Sequence, residues 1–461
     1  MLSLFSTFSR MLAYIKIKKG LNIKLAGEAD KILTNLPLPG TIALKPTDFT
    51  GVVPGLLVSP GDEVKAGTPL FCDKNNEAVK FCSPVSGEVA EIKRGEKRKI
   101  LEIKILADKE INYIPFNKAD PGNLSREEVI DALLGSGVWP LIRQRPFGII
   151  ANPADKPKAV FISAFDSNPL APDNNFMMQD CAEDFQTGLN ALIKLTEGKV
   201  HLNINARVRS SDVFTSAKGV QINKFSGPHP AGNIGVQVHH IDPVNKGEVV
   251  WYISPQDVLI AGRLFNHGKF DASKTVALTG PQVKTPKYYK TIIGASVKNM
   301  IDDAGLKDGE SRIISGNVLS GKQISQDGFL SFYDSHITVI PEGHVPEFIG
   351  WLKPGLDKFS VSRTFFSWLA PDKIYHFNTN MHGEERPFVV TGEYEKVFPM
   401  DIYPVQLLKS ILTEDIEMME SLGIYEVVEE DFALCEFICT SKIPSQQIIR
   451  KGLDTIRKEL G

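Results

Sequence analysis

The period of the apolar side chains changes along this chain, and that change most limits its possible folds. Residues 41–111 are short apolar runs separated by turn sequences such as Pro60-Gly61-Asp62, a pattern typical of strands. From about residue 125, apolar residues recur every three to four positions, as in helices. At 461 residues the chain is also too long for one hydrophobic core. The sequence therefore predicts an α+β protein of several domains.

The strands near the N-terminus occur in two similar copies. LLVSPGDEVKAGTPLFCD and FCSPVSGEVAEI flank a polar hairpin, which resembles the barrel-sandwich hybrid of biotinyl and lipoyl domains. In those domains a lysine at the hairpin tip carries the cofactor. Lys74 lies at the predicted tip, whereas Lys80 is too close to Pro84 to lie in the turn. The residues favour a stiff docking domain over a carrier.

Helix and strand patterns alternate after this region. SREEVIDALLGSG begins at Ser125 with acidic residues that suit a helix N-terminus and ends at glycine. KAVFISAF, KVHLNI and VQINKF are predicted strands, and CAEDFQTGLNALIKL is a predicted helix. This alternation predicts an α/β domain with a largely parallel sheet.

The C-terminal half combines a β-grasp pattern with later helices. Short strands around one helix precede residue 345, and two predicted helices follow, one over PVQLLKSILTEDIEMMESLG and one from about Ser445. We place the domain boundaries as an N-terminal extension over 1–13, an N-terminal strand and barrel-sandwich hybrid over 14–115, an α/β domain over 116–256, a β-grasp domain over 257–350 and a C-terminal helical domain over 351–461.

Composition and charge exclude several classes of function. A formal charge of -3 gives no field of one sign, so nucleic acid is not an expected partner. Five scattered cysteines do not form a disulfide pattern, which favours a reducing compartment. The sequence contains no run of eighteen apolar residues, and its first fifteen residues lack the basic region and cleavage site of a signal peptide. We therefore expect no transmembrane segment and no secretion.

The segment GSGVWP, residues 135–140, lies where a loop that binds phosphate through backbone N–H groups is expected. A dinucleotide fingerprint needs a third glycine at the position of Pro140, and Trp139 fills the space that a ribose or flavin would need. A packed loop is favoured over a nucleotide or flavin site.

The loop SGPHPAGNIG, residues 226–235, combines prolines with glycines and is predicted to be rigid and to lie tightly against a neighbour. His229 in this loop and the pair His239 and His240 are candidate metal ligands or proton carriers. Adjacent histidines on a strand point to opposite faces, and no acidic residue has ligand spacing to them. No metal site is predicted.

Cys435 and Cys439 have a spacing that places both thiols on one face of a helix. An iron–sulfur cluster needs four cysteines, so these two are predicted to be buried small side chains. The chain contains no HExxH, Walker A or GxSxG motif, and no catalytic residue is predicted.

Four large apolar residues cluster in the sequence FFSWL. Phe365, Phe366, Trp368 and Leu369 would be costly to leave in water, so we predict that they form a patch facing a partner or the membrane.

Six strings, in this order, resemble one known family: the A subunit of the bacterial Na+-translocating NADH:quinone oxidoreductase. They are IKIKKGL, SPVSGEV, SGPHPAG with the following HH and DPV, RIISGNVLSG, GEYEKVFPMDIYP and EEDFALCEFICTSK. The resemblance runs from Tyr14 to the C-terminus and leaves out the first ten residues.

The resemblance implies a barrel-sandwich hybrid, a Rossmann-like α/β domain, a β-grasp domain of the SLBB type and a C-terminal helical domain. It also implies a relation to the flavin-binding subunit of respiratory complex I and to the C subunit of the Rnf complex. In those relatives a longer glycine loop holds FMN and a C-terminal set of cysteines holds an iron–sulfur cluster. Here GSGVWP is shorter and only Cys435 and Cys439 remain, so the family implies a subunit without a redox cofactor.

The family's six-subunit complex passes electrons from NADH, through flavins and iron centres on other subunits, to quinone and exports Na+. The resemblance therefore implies a translocase subunit that is not catalytic alone and lies on the cytoplasmic side of the bacterial inner membrane. Its partners would be the B to F subunits, chiefly the B subunit in the membrane. The alternatives are an FMN-binding, NADH-oxidising subunit of the complex I or Rnf type and a lipoyl-like or biotinyl-like carrier.

A quinone contact is also proposed for this subunit within the family. We would expect it in the segment WPLIRQRPF and the histidine loop, where aromatic surface lies beside hydrogen-bond donors: Trp139, Arg143, Arg145, Phe147 and His229. The simpler interpretation is that Arg143 and Arg145 are ordinary surface or partner-binding cations.

Overall fold

The computed structural model describes residues 14–344, 349–350 and 352–459, so the predicted extension over 1–13 lies outside it. The strands of the described residues are, in chain order, β1 (Tyr14–Lys16), β2 (Asp30–Asn35), β3 (Thr41–Leu44), β4 (Pro54–Leu56), β5 (Glu63–Val64), β6 (Pro69–Asp73), β7 (Asn76–Cys82), β8 (Gly87–Arg94), β9 (Ile100–Ala107), β10 (Arg143–Arg145), β11 (Ile149–Ile150), β12 (Ala159–Ser163), β13 (Lys199–Asn205), β14 (Gln221–Ser226), β15 (Val250–Tyr252), β16 (Ser273–Thr279), β17 (Lys287–Ile292), β18 (Ser311–Ser315), β19 (Lys322–Ile324) and β20 (His336–Pro341).

The helices of the same residues are α1 (Arg126–Ser136), α2 (Asn174–Met177), α3 (Ala182–Leu195), α4 (Asp212–Thr215), α5 (Ile234–Ile241), α6 (Pro255–His267), α7 (Lys298–Ala304), α8 (Tyr394–Val397), α9 (Pro404–Leu412), α10 (Ile416–Ser421), α11 (Glu429–Ile438) and α12 (Ser445–Glu459). None of these described helices is long and apolar enough to cross a membrane.

The barrel-sandwich hybrid consists of two small antiparallel sheets, β3-β9-β8-β5 and β4-β6-β7. Three phenylalanine rings fill its interior, with Phe71 stacked on Phe81 at 4.3 Å and Phe49 at 4.4 Å from Phe81. As predicted, Lys74 lies in the β6–β7 turn, while Lys80 lies within β7.

A seven-stranded sheet in the order β1-β14-β13-β12-β15-β10-β11 forms the centre of the α/β domain. Within this sheet β1, β14, β13, β12 and β15 are parallel, and β10 is antiparallel to both of its neighbours, β15 and β11, which confirms the largely parallel sheet. Both faces of β12 are covered. Val160 and Ile162 point into the largest core, and Ala159 and Phe161 pack with α5, which explains the continuous apolar run in this strand.

Helix α1 begins as predicted. Ser125 and Glu128 form a capping box, with the Ser125 Oγ accepting from the Glu128 N–H at 3.2 Å and the Glu128 carboxylate accepting from the Ser125 N–H at 2.7 Å.

The first two strands do not belong to the barrel. β1 pairs with β14 at the edge of the α/β sheet, where Tyr14 faces Lys224, and β2 pairs with β17 of the β-grasp sheet. The strand that we placed with the barrel over 14–115 therefore lies in another domain. The boundary at 256/257 also falls inside α6, which packs on α3, so we place α6 in the α/β domain.

The β-grasp domain has a sheet in the order β19-β18-β20-β16-β17-β2, covered by α7. Its core is formed by residues such as Leu278, Tyr289, Met300 and Ile337. The barrel-sandwich hybrid, α/β and β-grasp domains predicted from the sequence are thus all present.

The C-terminal domain is helical, but one predicted helix is divided in two. Glu414 has a φ of 57°, which ends α9, and the Asp415 side chain then caps α10 by accepting from the Met418 N–H at 3.0 Å. Helix α12 packs its apolar stripe, which includes Ile449, Leu453 and Ile456, into this domain's core.

Candidate functional site

A cavity of about 190 Å³ lies at the carboxyl ends of the parallel strands. β12 has β13 on one side and β15 on the other, so the strand order reverses between β12 and β15. Crevices at such a reversal are the usual ligand sites of open α/β sheets. Ser163 is the last residue of β12 and Tyr252 the last of β15, while Tyr333 comes from the β-grasp domain and Glu430 from the C-terminal domain. This space, which we call the switch-point cavity, is therefore lined by three domains.

Arg143 is the cation of the switch-point cavity. Its guanidinium lies between the rings of Tyr252 and Tyr333, at 4.6 and 4.3 Å from their centroids. The Tyr333 hydroxyl donates to the Pro140 carbonyl at 2.8 Å, which fixes that ring. The Arg143 Nε is inaccessible to solvent and has no hydrogen-bond partner among the described residues. A buried donor without a partner is uncommon and marks Arg143 as a candidate functional residue.

Arg145, two residues further along β10, is fully buried and pairs with two carboxylates. Its Nη1 lies 2.7 Å from Asp431 and donates to the Glu426 carbonyl at 3.0 Å, while its Nη2 lies 2.9 Å from Glu430. Burial opposes its charge, but the neighbouring carboxylates, led by Asp431, outweigh burial and raise the pKa of Arg145. Arg145 thus joins the α/β domain to α11 and is not a surface cation.

The other residues named for a quinone contact do not line the cavity. Trp139 is fully buried, and its Nε1 donates to the Ala151 carbonyl at 2.8 Å. Phe147 is half-buried with a φ of 78°, and its carbonyl accepts from Arg450 at 2.7 Å. Of the five residues, only Arg143 lines the cavity.

His229 is buried in the loop whose Gly232 and Asn233 line the cavity, and one of its ring nitrogens has no partner in the part of the chain that the structure describes. Its Nδ1 lies 3.1 Å from the Ser167 hydroxyl, and its Nε2 has no partner among the described residues. Burial lowers the pKa of His229 to about 4, so the ring is neutral at pH 7. The loop around it is as tight as predicted, since a Cβ at Gly232 would lie 2.6 Å from the Ser167 nitrogen.

The expectation that His239 and His240 lie on a strand was wrong, because both are in the last turn of α5. His239 Nδ1 lies 2.7 Å from Glu426, and its Nε2 accepts from the Asp401 N–H at 3.0 Å, so this ring joins α5 to the C-terminal domain. No group of three or more potential metal ligands is found within residues 14–344, 349–350 and 352–459.

The segment GSGVWP forms the end of a helix rather than the start of one. Gly137 has a φ of 78° and closes α1, and a Cβ there would lie 2.5 Å from the Cys82 Sγ in the barrel. The N–H groups of Val138 and Leu141 are bonded to backbone carbonyls. These residues do not fit a flavin or nucleotide phosphate, because the turn is filled and its donors are used.

The cysteines likewise do not fit an iron–sulfur cluster. Cys435 lies in α11 and Cys439 caps that helix, and both are buried in the apolar core of the C-terminal domain. Burial raises the pKa of the Cys435 thiol, which opposes the thiolate that a metal needs. The remaining three cysteines of the chain lie in the barrel and the α/β domain.

Of the residues that line the cavity, sequence reasoning named only Arg143 as a site residue, and it missed, among others, Tyr252, Tyr333 and Glu430. Tyr252 was detectable in principle, because it ends a strand directly before the helix that Ser254 caps. Nothing in the local sequence connects Tyr333 or Glu430 to that strand.

The fold and the site together define a class. This is a multidomain protein with a barrel-sandwich hybrid, an α/β domain, a β-grasp domain and a helical domain, and the last three line the switch-point cavity. The chain matches three family models, described as the NqrA N-terminal barrel-sandwich hybrid domain over residues 15–108, the NqrA second alpha/beta domain over 124–270 and the NQRA C-terminal domain over 275–326.

Relatives named as the A subunit of Na(+)-translocating NADH-quinone reductase match along nearly the whole length. The protein of Rhodopirellula baltica is 39% identical over 96% of this chain and 98% of its own. Those of Yersinia pestis bv. Antiqua and Neisseria meningitidis serogroup A are each 40% identical over 96% of this chain and 100% of their own. The chain belongs to this family, the A subunits of Na+-translocating NADH-quinone reductases. These matches support neither the NADH-oxidising flavoprotein nor the carrier.

Proposed function

We propose that this chain is the peripheral, cytoplasmic-side subunit of a Na+-translocating NADH:quinone reductase and that it attaches to the membrane part, chiefly the B subunit. The assignment to this complex rests on family membership. The attachment rests on a separate observation, the distribution of exposed apolar side chains.

Half of the large apolar side chains that are exposed in the described residues lie between residues 349 and 390. They are Ile349, Leu352, Leu356, Phe366, Trp368, Leu369, Ile374, Met381, Val389 and Val390. Among the described residues of this stretch, the only regular element is a short 3-10 helix over Phe366–Leu369. A concentration of this kind in a long irregular segment is typical of a surface that a partner covers. Phe365 itself is half-buried, and the other three residues of the predicted patch are exposed.

Hydrogen exchange of the isolated chain and of the assembled complex tests the attachment. We expect amides between residues 352 and 390 to exchange more slowly in the complex, and amides of α3, which packs against α6, to remain unchanged. Equal exchange of this stretch in both samples would show that the membrane subunits do not cover it.

We further propose that the chain carries no redox cofactor of its own. The closed turn at Gly137 and the two buried thiols support this, since neither offers the open donors or thiolates that a flavin or a cluster needs. The purified chain should be colourless. A stoichiometric absorbance band above 350 nm, from about one prosthetic group per chain, would contradict the proposal.

A second candidate function is contact with a quinone head group at Arg143. The charges of Arg143 and Arg145 are balanced by Glu430 and Asp431, and Asp166 also lines the cavity. That balance suits a neutral ligand with carbonyl acceptors better than an anion. A photoreactive quinone should label peptides that contain Tyr252 or Tyr333, and Arg143→Met should weaken the labelling. Labelling elsewhere, unaffected by that substitution, would remove the candidate.

A further inference from the structure

The segment over residues 352–374, which we call the apolar loop, has a packed inner side. The Phe359 ring lies 5.5 Å from Tyr375, 5.9 Å from Phe377 and 5.7 Å from Phe437 of α11. Tyr375 also forms a backbone bridge to Leu25, and its N–H donates to the Lys24 carbonyl at 2.8 Å. These contacts fix the loop to the body of the protein.

Hydrogen bonds bring the exposed parts of the apolar loop side by side. The Phe366 N–H donates to the Pro354 carbonyl at 2.9 Å, and Lys373 Nζ donates to the Leu356 carbonyl at 2.6 Å. The large side chains on the outer side nevertheless remain in solvent, with Leu352 69% exposed and Leu369 64% exposed. The loop is thus a fixed platform with an apolar rim.

The charges of the apolar loop differ from those of the stretch that follows it. Residues 352–374 contain four basic and two acidic side chains, whereas residues 375–390 contain one basic and two acidic ones. Both acids of the loop are already paired, Asp357 with Lys373 at 2.5 Å and Asp372 with Lys24 at 2.7 Å. The loop is therefore a positive region on a chain whose formal charge is -3.

Lys353 is exposed and forms no ion pair in the described structure, and the Arg363 guanidinium lies 5.7 Å from the Trp368 ring centroid. Tryptophan beside arginine or lysine, with exposed leucine and phenylalanine, is the combination that proteins place at the boundary between lipid headgroups and acyl chains. The aromatic and aliphatic parts enter the boundary, and the cations remain at the anionic phosphates.

We propose that the rim of the apolar loop, Phe366, Trp368 and Leu369 with Lys353 and Arg363, binds the surface of an anionic lipid bilayer directly. The proposal rests on the peripheral position given above and adds a second partner to the membrane subunits. The acidic stretch over 375–390 is then left to contact protein.

The test uses the full chain and vesicles of phosphatidylcholine with or without phosphatidylglycerol. Trp139 and Trp251 are fully buried, so in a Trp351→Phe background the emission that responds to lipid comes from Trp368. We expect flotation with the anionic vesicles, a blue shift of the emission and quenching by brominated lipid. Lys353→Gln and Arg363→Gln should each weaken binding by about fivefold, as expected for a cation near a charged surface.

Two matched controls distinguish binding by this surface from nonspecific binding to vesicles. Phe366→Ser with Trp368→Ser and Leu369→Ser should abolish flotation, whereas Leu106→Ser, which changes an exposed leucine in the barrel, should leave it unchanged. Lys156→Gln, at an exposed lysine of the α/β domain, should also leave it unchanged.

The outcomes also distinguish the two proposals. The lipid contact alone would be overturned by three results together: no vesicle binding, slowed exchange of the loop in the complex, and no quenching of Trp368 there by brominated lipid. These results would show that protein covers the rim. Vesicle binding without slowed exchange of residues 375–390 in the complex would support the lipid contact and contradict attachment through that stretch.

Discussion

Arg145 shows how one side chain can join two domains. It is fully buried between Asp431 and Glu430, and Gly235 leaves room for it, since a Cβ there would lie 2.4 Å from the Asp431 carboxylate and 2.6 Å from the guanidinium. A buried charge is costly unless it is paired.

We predict that Arg145→Met lowers the free energy of unfolding by about 3–5 kcal/mol, because it leaves a buried carboxylate without its cation. Urea unfolding at neutral pH measures the effect. Lys156→Met removes an exposed pair with Glu197, so it should cost less than about 1 kcal/mol. A similar small loss for both variants would show that Arg145 does not hold the domains together.

His229 and His201 make stability depend on pH. Burial lowers the pKa of each to about 4, whereas an unfolded histidine titrates near 6.5. Between these values the unfolded chain binds more protons than the folded one, so stability rises with pH over this window and is lost as the pH falls toward 4. Each histidine accounts for a loss of up to about 3 kcal/mol in the free energy of unfolding as the pH falls through this window.

We expect His229→Gln to flatten the dependence of the urea midpoint on pH between about 4 and 6.5. His201→Gln should act in the same direction, and the double variant should show the sum of both effects. A slope equal to that of the wild type in His229→Gln would mean that this ring is protonated in the folded protein near its ordinary pKa.

The sequence identified candidate residues for the site but could not show which of them line the cavity. Arg143 and Arg145 are two positions apart on one strand, and their local sequences do not distinguish them. Their different roles depend on Tyr333 and Asp431, which lie more than about 150 residues further along the chain. Burial of Arg145 follows from that tertiary contact alone.

At the scale of the elements, α3 and α6 approach most closely where each has a glycine. A Cβ at Gly188 would lie 2.1 Å from the Val258 carbonyl oxygen, and one at Gly262 would lie 1.8 Å from the Asp184 carbonyl oxygen. Backbone atoms cannot move aside as a flexible side chain can, so these helices pack at a distance that only glycine permits.

We predict that Gly188→Ala and Gly262→Ala each destabilise the protein by about 3 kcal/mol, and that the double variant costs less than the sum because both separate the same pair of helices. Thermal unfolding measures this. Gly135→Ala is the matched control. Gly135 lies in α1 with nothing near its Cβ, so alanine should raise stability by up to about 1 kcal/mol. Stability equal to that of the wild type in Gly188→Ala and Gly262→Ala would show that close helix packing does not require these glycines.

Most elements could be predicted from their own sequence, and the exceptions have physical causes. α1 carries its capping box, and β12 carries the apolar run of a strand buried on both faces. The break between α9 and α10 was missed because Glu414 adopts a positive φ without being glycine. His239 and His240 were treated as strand residues, but they lie in α5, where Val236 and Val238 are buried.

At the scale of the whole molecule, one apolar core extends through three domains. It contains Phe81 of the barrel, Val160 of the α/β sheet and Phe332 of the β-grasp domain. We predict that these domains unfold in a single calorimetric transition, because none can lose its structure without exposing the shared core. Agreement of the calorimetric and van't Hoff enthalpies would confirm it, whereas separate transitions assigned by hydrogen exchange to the barrel and the α/β domain would contradict it.

β1 and β2 pair in two different sheets, each with a strand that is far away in sequence, and this affects folding during synthesis. Tyr14 is synthesised about 200 residues before its partner, Lys224. The interval between the synthesis of β2 and that of its partner, β17, is longer still. At bacterial synthesis rates the first of these delays is roughly 10–40 s. During that time the nascent chain holds two short, unpaired strands ahead of a barrel that can already close. Binding by a ribosome-associated chaperone would be most useful at this stage.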